Sequence, residues 1–129
     1  MQKTPIQFLD DDEDDVWERA GECCETEAGK RDPTFTATAT VTDGGFGLTI
    51  TGNSAHACGM KWVQLDITLT GVSGTVWNKF GLREPNFTLR NGPEANRKVP
   101  EQISRLDVRL TAFSVCGTYA EKNFNIILV

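Results

Sequence analysis

Asp11, Glu13, Asp15 and Glu22 fall at positions 1, 3, 5 and 12 of one window, the spacing at which an EF-hand loop presents carboxylate oxygens to calcium. The sixth position of that loop must turn sharply on glycine, and here it is Val16, followed by Trp17. The pattern of two long flanking helices is also missing. The run therefore reads as a segment that attracts cations weakly, and no metal site is assigned to it.

The thiols are the second source of chemistry. Cys23, Cys24, Cys58 and Cys116 allow three pairings. A bridge between the neighbours Cys23 and Cys24 is strained, so oxidation would link Cys58 to Cys116 or join one of the pair to the rest of the chain. The opening MQKTPIQFLDDD lacks the apolar run of a secretory leader, and four reduced thiols are expected on that ground. A zinc site assembled from His56, Cys58, Cys116 and one of the Cys23, Cys24 pair matches no paired C-x-x-C spacing. His56-Ala57-Cys58 has the residue types of a thiol protease, but no oxyanion-stabilising or orienting group accompanies it. His56 is the only histidine, and neither G-x-S-x-G nor a phosphate-cradling glycine loop is present. The expectation is a protein without catalytic residues or cofactor; a metal- or thiol-dependent enzyme is the opposing class.

Charge divides the chain in two. Residues 1–27 hold ten acidic residues against Lys3 and Arg19, a net of −8, whereas the remaining eight acids and eleven bases give +3. Such a head reaches for a basic surface, its own or a partner's, and does not favour nucleic acid. Phe8, Leu9, Val16 and Trp17 lie within or beside the acidic run, and a merely solubilising tail has no use for them. Asp10, Asp11, Asp12, Glu13, Asp14, Asp15 and Trp17 are accordingly the candidate partner-binding residues, within an arm over residues 1–32 that is partly disordered or short-helical.

Alternation governs the rest, residues 33–129. In TFTATATVT (34–42) threonines alternate with Phe35, Ala37, Ala39 and Val41, the period of a half-buried strand. FGLTIT follows after Asp43-Gly44-Gly45; a two-residue Gly44-Gly45 loop sets Val41 opposite Leu48 and Ala39 opposite Ile50. A second hairpin comes from KWVQLDITLTGVSGTVWNKF, where a Gly71–Gly74 turn with Thr70 opposite Thr75 pairs Leu69 with Val76, Leu65 with Phe80 and Asp66 with Lys79. That register puts Trp77 on the polar face with Trp62, so Trp62, Gln64, Asp66 and Trp77 form a candidate ligand platform. Leu106, Val108 and Leu110 mark a further strand, and RLDVRLTA (105–112) resembles QLDITLTG (64–71) as two half-buried strands would.

Short strands separated by Gly, Asn and Pro turns imply an all-β antiparallel β-sandwich, immunoglobulin-like or jelly-roll, with a small β-barrel as the alternative. The functional expectation is a non-catalytic interaction or assembly module of the inhibitor, immunity, adaptor or virion-accessory kind, engaging another protein or itself. The alternative is a carbohydrate-binding module. No stretch reaches the ~20 apolar residues of a membrane span. A cytoplasmic or virion-associated location is expected, and the sequon Asn86-Phe87-Thr88 keeps a secreted form open.

Overall fold

The computed structural model describes residues 21–92 and 99–128. Seven strands carry the fold: β1 (Thr34–Thr42), β2 (Gly47–Ala55), β3 (Met60–Gly71), β4 (Val76–Arg83), β5 (Asn86–Asn91), β6 (Ile103–Ser114) and β7 (Tyr119–Ile127). They form two antiparallel sheets, ordered β1-β2-β5 and β4-β3-β6-β7. This is a sandwich and not a closed barrel. The order is that of a seven-stranded immunoglobulin-like domain, except that the fourth strand joins the third instead of the fifth.

The period-two pattern explains the packing. Phe35, Leu48, Ile50 and Leu89 of the first sheet face Val63, Leu65, Ile67, Leu69, Leu106, Val108, Leu110 and Ala112 of the second, and all are buried. Their alternating neighbours point away, since the pleat of a strand sends successive side chains to opposite faces. β3 and β6 are the longest strands and neighbours, and the two resembling segments lie on them, pairing about Ile67 and Val108. Each must offer an apolar residue inward at every second position, which accounts for their likeness.

The β1–β2 hairpin has the expected register, with Val41 opposite Leu48, Ala39 opposite Ile50 and Thr38 opposite Thr51. Its connection is longer than two residues: a 3-10 turn over Asp43–Gly45 with Phe46 unpaired. Both connections have the same midpoint, so the pairing is unaffected. Asp43, Gly44 and Gly45 all take positive φ (55°, 65° and 101°), which Asp tolerates and Gly favours.

The β3–β4 hairpin differs from expectation by one residue. Gly71 pairs with Thr75 through a 2.9 Å hydrogen bond, leaving a three-residue loop, Val72-Ser73-Gly74, in which Gly74 adopts φ +92°. That is the geometry of a turn closed by a glycine bulge. Thr70 then lies opposite Val76, Leu69 opposite Trp77 and Asp66 opposite Phe80. A shift of one turns every β4 side chain over. Trp77 goes inward against the core, while Val76, Phe80 and Leu82 go out to solvent.

The cysteines are not reduced thiols. Cys23 bonds to Cys58 and Cys24 to Cys116, with Cα atoms 5.6 and 5.3 Å apart. Gly21–Cys24 is helical, so the adjacent cysteines sit on one turn and reach two different anchors, the β2–β3 loop and the β6–β7 turn. Each bridge closes a loop, of sequence separation 35 and 92.

The register makes opposite demands on two neighbouring aromatics. Trp77→Ala is expected to cost about 2 kcal/mol by uncovering core surface. Phe80→Ser should stay within about 0.5 kcal/mol. Urea unfolding of both variants checks this, and the reverse ranking would contradict the pairing.

Candidate functional site

The outer face of the four-stranded sheet is built by the odd turn of that hairpin and by strict alternation elsewhere. Across β4, β3, β6 and β7 it presents rows: Leu82, Gln64, Thr111 and Glu121; Phe80, Asp66, Arg109 and Asn123; Asn78, Thr68, Asp107 and Asn125; Val76, Thr70, Arg105 and Ile127. At the end nearest the disulfides, Trp62, Phe113 and Tyr119 make one further row. Phe113 and Tyr119 have ring centroids 5.9 Å apart, and Lys61 Nζ stands 5.6 Å from the Trp62 ring.

The centre of this face is polar and hydrogen-bonded. Asn78 Nδ2 donates to Asp66 Oδ1 (3.2 Å) and Thr68 Oγ1 (2.9 Å), and Asn125 Nδ2 donates to Asp107 Oδ1 (2.5 Å). Arg105 Nε pairs with Asp107 Oδ2 at 2.9 Å, and Arg109 Nε with Glu121 Oε2 at 3.2 Å. A shallow depression of about 210 Å³ lies among Asp66, Thr68, Asp107, Arg109, Asn123 and Asn125. The Arg105 guanidinium, and then Asn125, hold the Asp107 carboxyl below its ordinary value of 3.8, against the opposing effect of burial.

Apolar side chains frame the polar centre. Among the described residues, the exposed large hydrophobic side chains Trp62 (41%), Val76 (58%), Phe80 (63%), Leu82 (53%), Tyr119 (55%) and Ile127 (63%) all belong to this face, leaving Phe46, Val72 and Leu128 elsewhere. The two edge strands each turn a lysine inward: Lys79 opposite Ile67 and Lys122 opposite Leu110. Inward charge on an edge discourages another strand from adding there.

Three of the four residues proposed for the ligand platform, Trp62, Gln64 and Asp66, share the outer face; Trp77 does not, because the hairpin register turns it inward. Phe80, Leu82, Phe113 and Tyr119 take places on the face that alternation alone did not single out. The signal for Phe113 and Tyr119 was available in their spacing from Leu110 and from the turn at Gly117. Asp10, Asp11, Asp12, Glu13, Asp14, Asp15 and Trp17 lie outside the described residues.

His56 is a structural staple. Its Nδ1 accepts from the Cys58 N–H (3.1 Å), which leaves Nε2–H to donate to the Arg31 carbonyl (2.9 Å). The Thr118 hydroxyl donates to the same carbonyl (2.9 Å). The Arg31 carbonyl thus joins the β2–β3 loop to the β6–β7 turn, beside the disulfides that join the same two places.

No family model matches the chain, and neither a curated protein nor a solved structure matches it. Among the described residues no helix is long and apolar enough to cross a membrane.

Because folding lowers the Asp107 pKa, its ionised form favours the folded state above the ordinary value of 3.8, and that contribution is lost as pH falls through the lower folded value. Between about pH 5 and pH 2, Asp107→Asn should therefore lose less stability than the parent, by roughly 0.5 kcal/mol after solvent screening. Denaturant unfolding across that range reads the difference, and superimposable pH profiles would rule out the contribution.

Proposed function

We propose that the chain is a non-catalytic interaction module that engages another protein, a second copy included, through the outer face of its four-stranded sheet. The observation carrying this reading is the gathering of six exposed large apolar side chains on one sheet face around a hydrogen-bonded polar centre. Single exposed apolar residues are ordinary on any surface, but their concentration on one face marks a surface that gains from being covered. The inward Lys79 and Lys122 disfavour strand addition at either edge, so contact is face-on.

The acidic and aromatic arm is part of the proposal. Cys23 and Cys24 fasten the chain beside the start of β3 and the end of β6, the end carrying Trp62, Phe113 and Tyr119, and the acidic run precedes them in the sequence. Its charge suits a partner with basic groups.

A second reading, a carbohydrate-binding module, is favoured by one specific arrangement. Trp62, Phe113 and Tyr119 share the outer face with the depression whose walls carry Asp66, Asp107, Arg109, Asn123 and Asn125, one row of side chains (Gln64, Thr111 and Glu121) away. Rings stack on sugar faces while carboxylates, amides and guanidinium pair with hydroxyls.

One pair of variants separates the readings. In sedimentation and pull-down against a binding partner, Phe80→Ser with Leu82→Ser is expected to weaken association at least about tenfold, as truncation of exposed apolar anchors does. The same double variant should leave any sugar response of Trp62 fluorescence unchanged. Undiminished association would remove the protein-interaction reading, and a fluorescence response to a sugar panel that Trp62→Phe abolishes would establish the other.

A further inference from the structure

The Sγ atoms of Cys24, Cys58 and Cys116 all lie within 4.8 Å of one another, although they belong to two different disulfides. Cys58 and Cys116 moreover occupy opposed places beyond the ends of β3 and β6. Met60 pairs with Ser114, and the Val115 N–H donates to the Gly59 carbonyl (3.0 Å), so the next positions outward are the two cysteines. The Cys58 and Cys116 sulfurs are thus neighbours, while each is bonded to one member of the Cys23, Cys24 pair. All four cysteines are half-buried, and a small thiol reaches them from solvent.

We propose that this cluster is a thiol–disulfide exchange site for dithiol reductants, whose product is a Cys58–Cys116 bridge with Cys23 and Cys24 both free. In the first step the dithiol breaks the Cys24–Cys116 bond and is itself oxidised to a cyclic disulfide; two electrons and two protons pass to the protein pair. In the second, the Cys116 thiolate attacks the Cys58 sulfur. The Cys58–Cys116 bond forms, the Cys23–Cys58 bond breaks, and Cys23 leaves as a thiolate that takes a proton from solvent. The second step consumes no reductant, so one dithiol frees both cysteines.

The direction follows from what each bridge orders. The Val115 N–H bond to the Gly59 carbonyl already holds together the two turns that carry Cys58 and Cys116, and linking them immobilises little more. Releasing Cys23 and Cys24 returns backbone and side-chain freedom to the segment that bears them. The exchange unties Gly21–Cys24 from the β2–β3 loop and the β6–β7 turn, leaving the bonds of the Arg31 carbonyl as a remaining described tether. The inference stands on the sulfur geometry and does not require the interaction reading.

The test uses the oxidised full-length protein with one molar equivalent of dithiothreitol, quenched with N-ethylmaleimide and mapped by peptide mass spectrometry. The species with two modified cysteines is expected to carry them at Cys23 and Cys24, in excess of every other two-thiol form by roughly tenfold or more. Modification of Cys24 with Cys116, of Cys23 with Cys58, or of Cys23 with Cys116 as the main product would overturn it. As an independent reading, the Cys23→Ser, Cys24→Ser double variant treated with oxidised glutathione should close Cys58–Cys116 and lose both reactive thiols. Persistence of two unlinked or glutathione-capped cysteines in that folded variant counts against the proposal.

Discussion

The pairing of β3 with β6 is the constraint on which everything else in the molecule depends. Two twelve-residue strands lie side by side in the middle of one sheet, with Val63, Leu65, Leu106, Leu110 and Ala112 fully or almost fully buried beneath them. Their register sets three things together. It decides which residues enter the core, it lays out the central polar rows of the outer face, and at one end it brings together the turns that carry Cys58 and Cys116. Alternation leaves no freedom here, since a slip of one residue would expose the core and bury Asp66, Asp107, Arg105 and Arg109.

The edges of the sheet follow a different logic. β4 has a partner on one side alone, so its side chains can be turned over without exposing the central core, and the loop before it decides which way they point. The three-residue connection with its glycine bulge sends Trp77 to the sheet interface and Val76, Phe80 and Leu82 to solvent. A feature of backbone conformation at Gly74 therefore determines the chemical character of a face some distance away. The interior position of Lys79 fits the same arrangement, for at an open edge a lysine can lay its stem on apolar surface and keep its ammonium in water.

The end of the sandwich near the disulfides is held by redundant means. Two disulfides and two hydrogen bonds to the Arg31 carbonyl converge on the β2–β3 loop and the β6–β7 turn. The lone histidine serves here through the hydrogen-bonding pattern of its two nitrogens. Cross-links of long separation act largely by restricting the unfolded chain, a role that falls to few other groups in a domain whose core is this small.

The all-β class and the β1–β2 register were legible in the sequence, because period-two alternation is local and the threonine and apolar faces of residues 34–51 match, whereas sandwich and small barrel both stayed open until the strands were assigned to two sheets. The sequence also marked residues 64–71 and 105–112 as two half-buried strands. What it did not decide was the β3–β4 register: Gly71-Val72-Ser73-Gly74 admits a three- or a four-residue connection, and the four-residue choice produced a plausible set of partners, Leu65 with Phe80 and Asp66 with Lys79. Only the opposing sheet, which needs Trp77 and cannot take Phe80 as well, separates the two. The cysteine pairing was equally out of reach, since partners 35 and 92 residues apart are brought together by the strands between them and by no local pattern. Composition thus names the residues available for chemistry, and tertiary structure alone decides which of them meet, because contact across a sandwich depends on register and closure that no short stretch of chain contains.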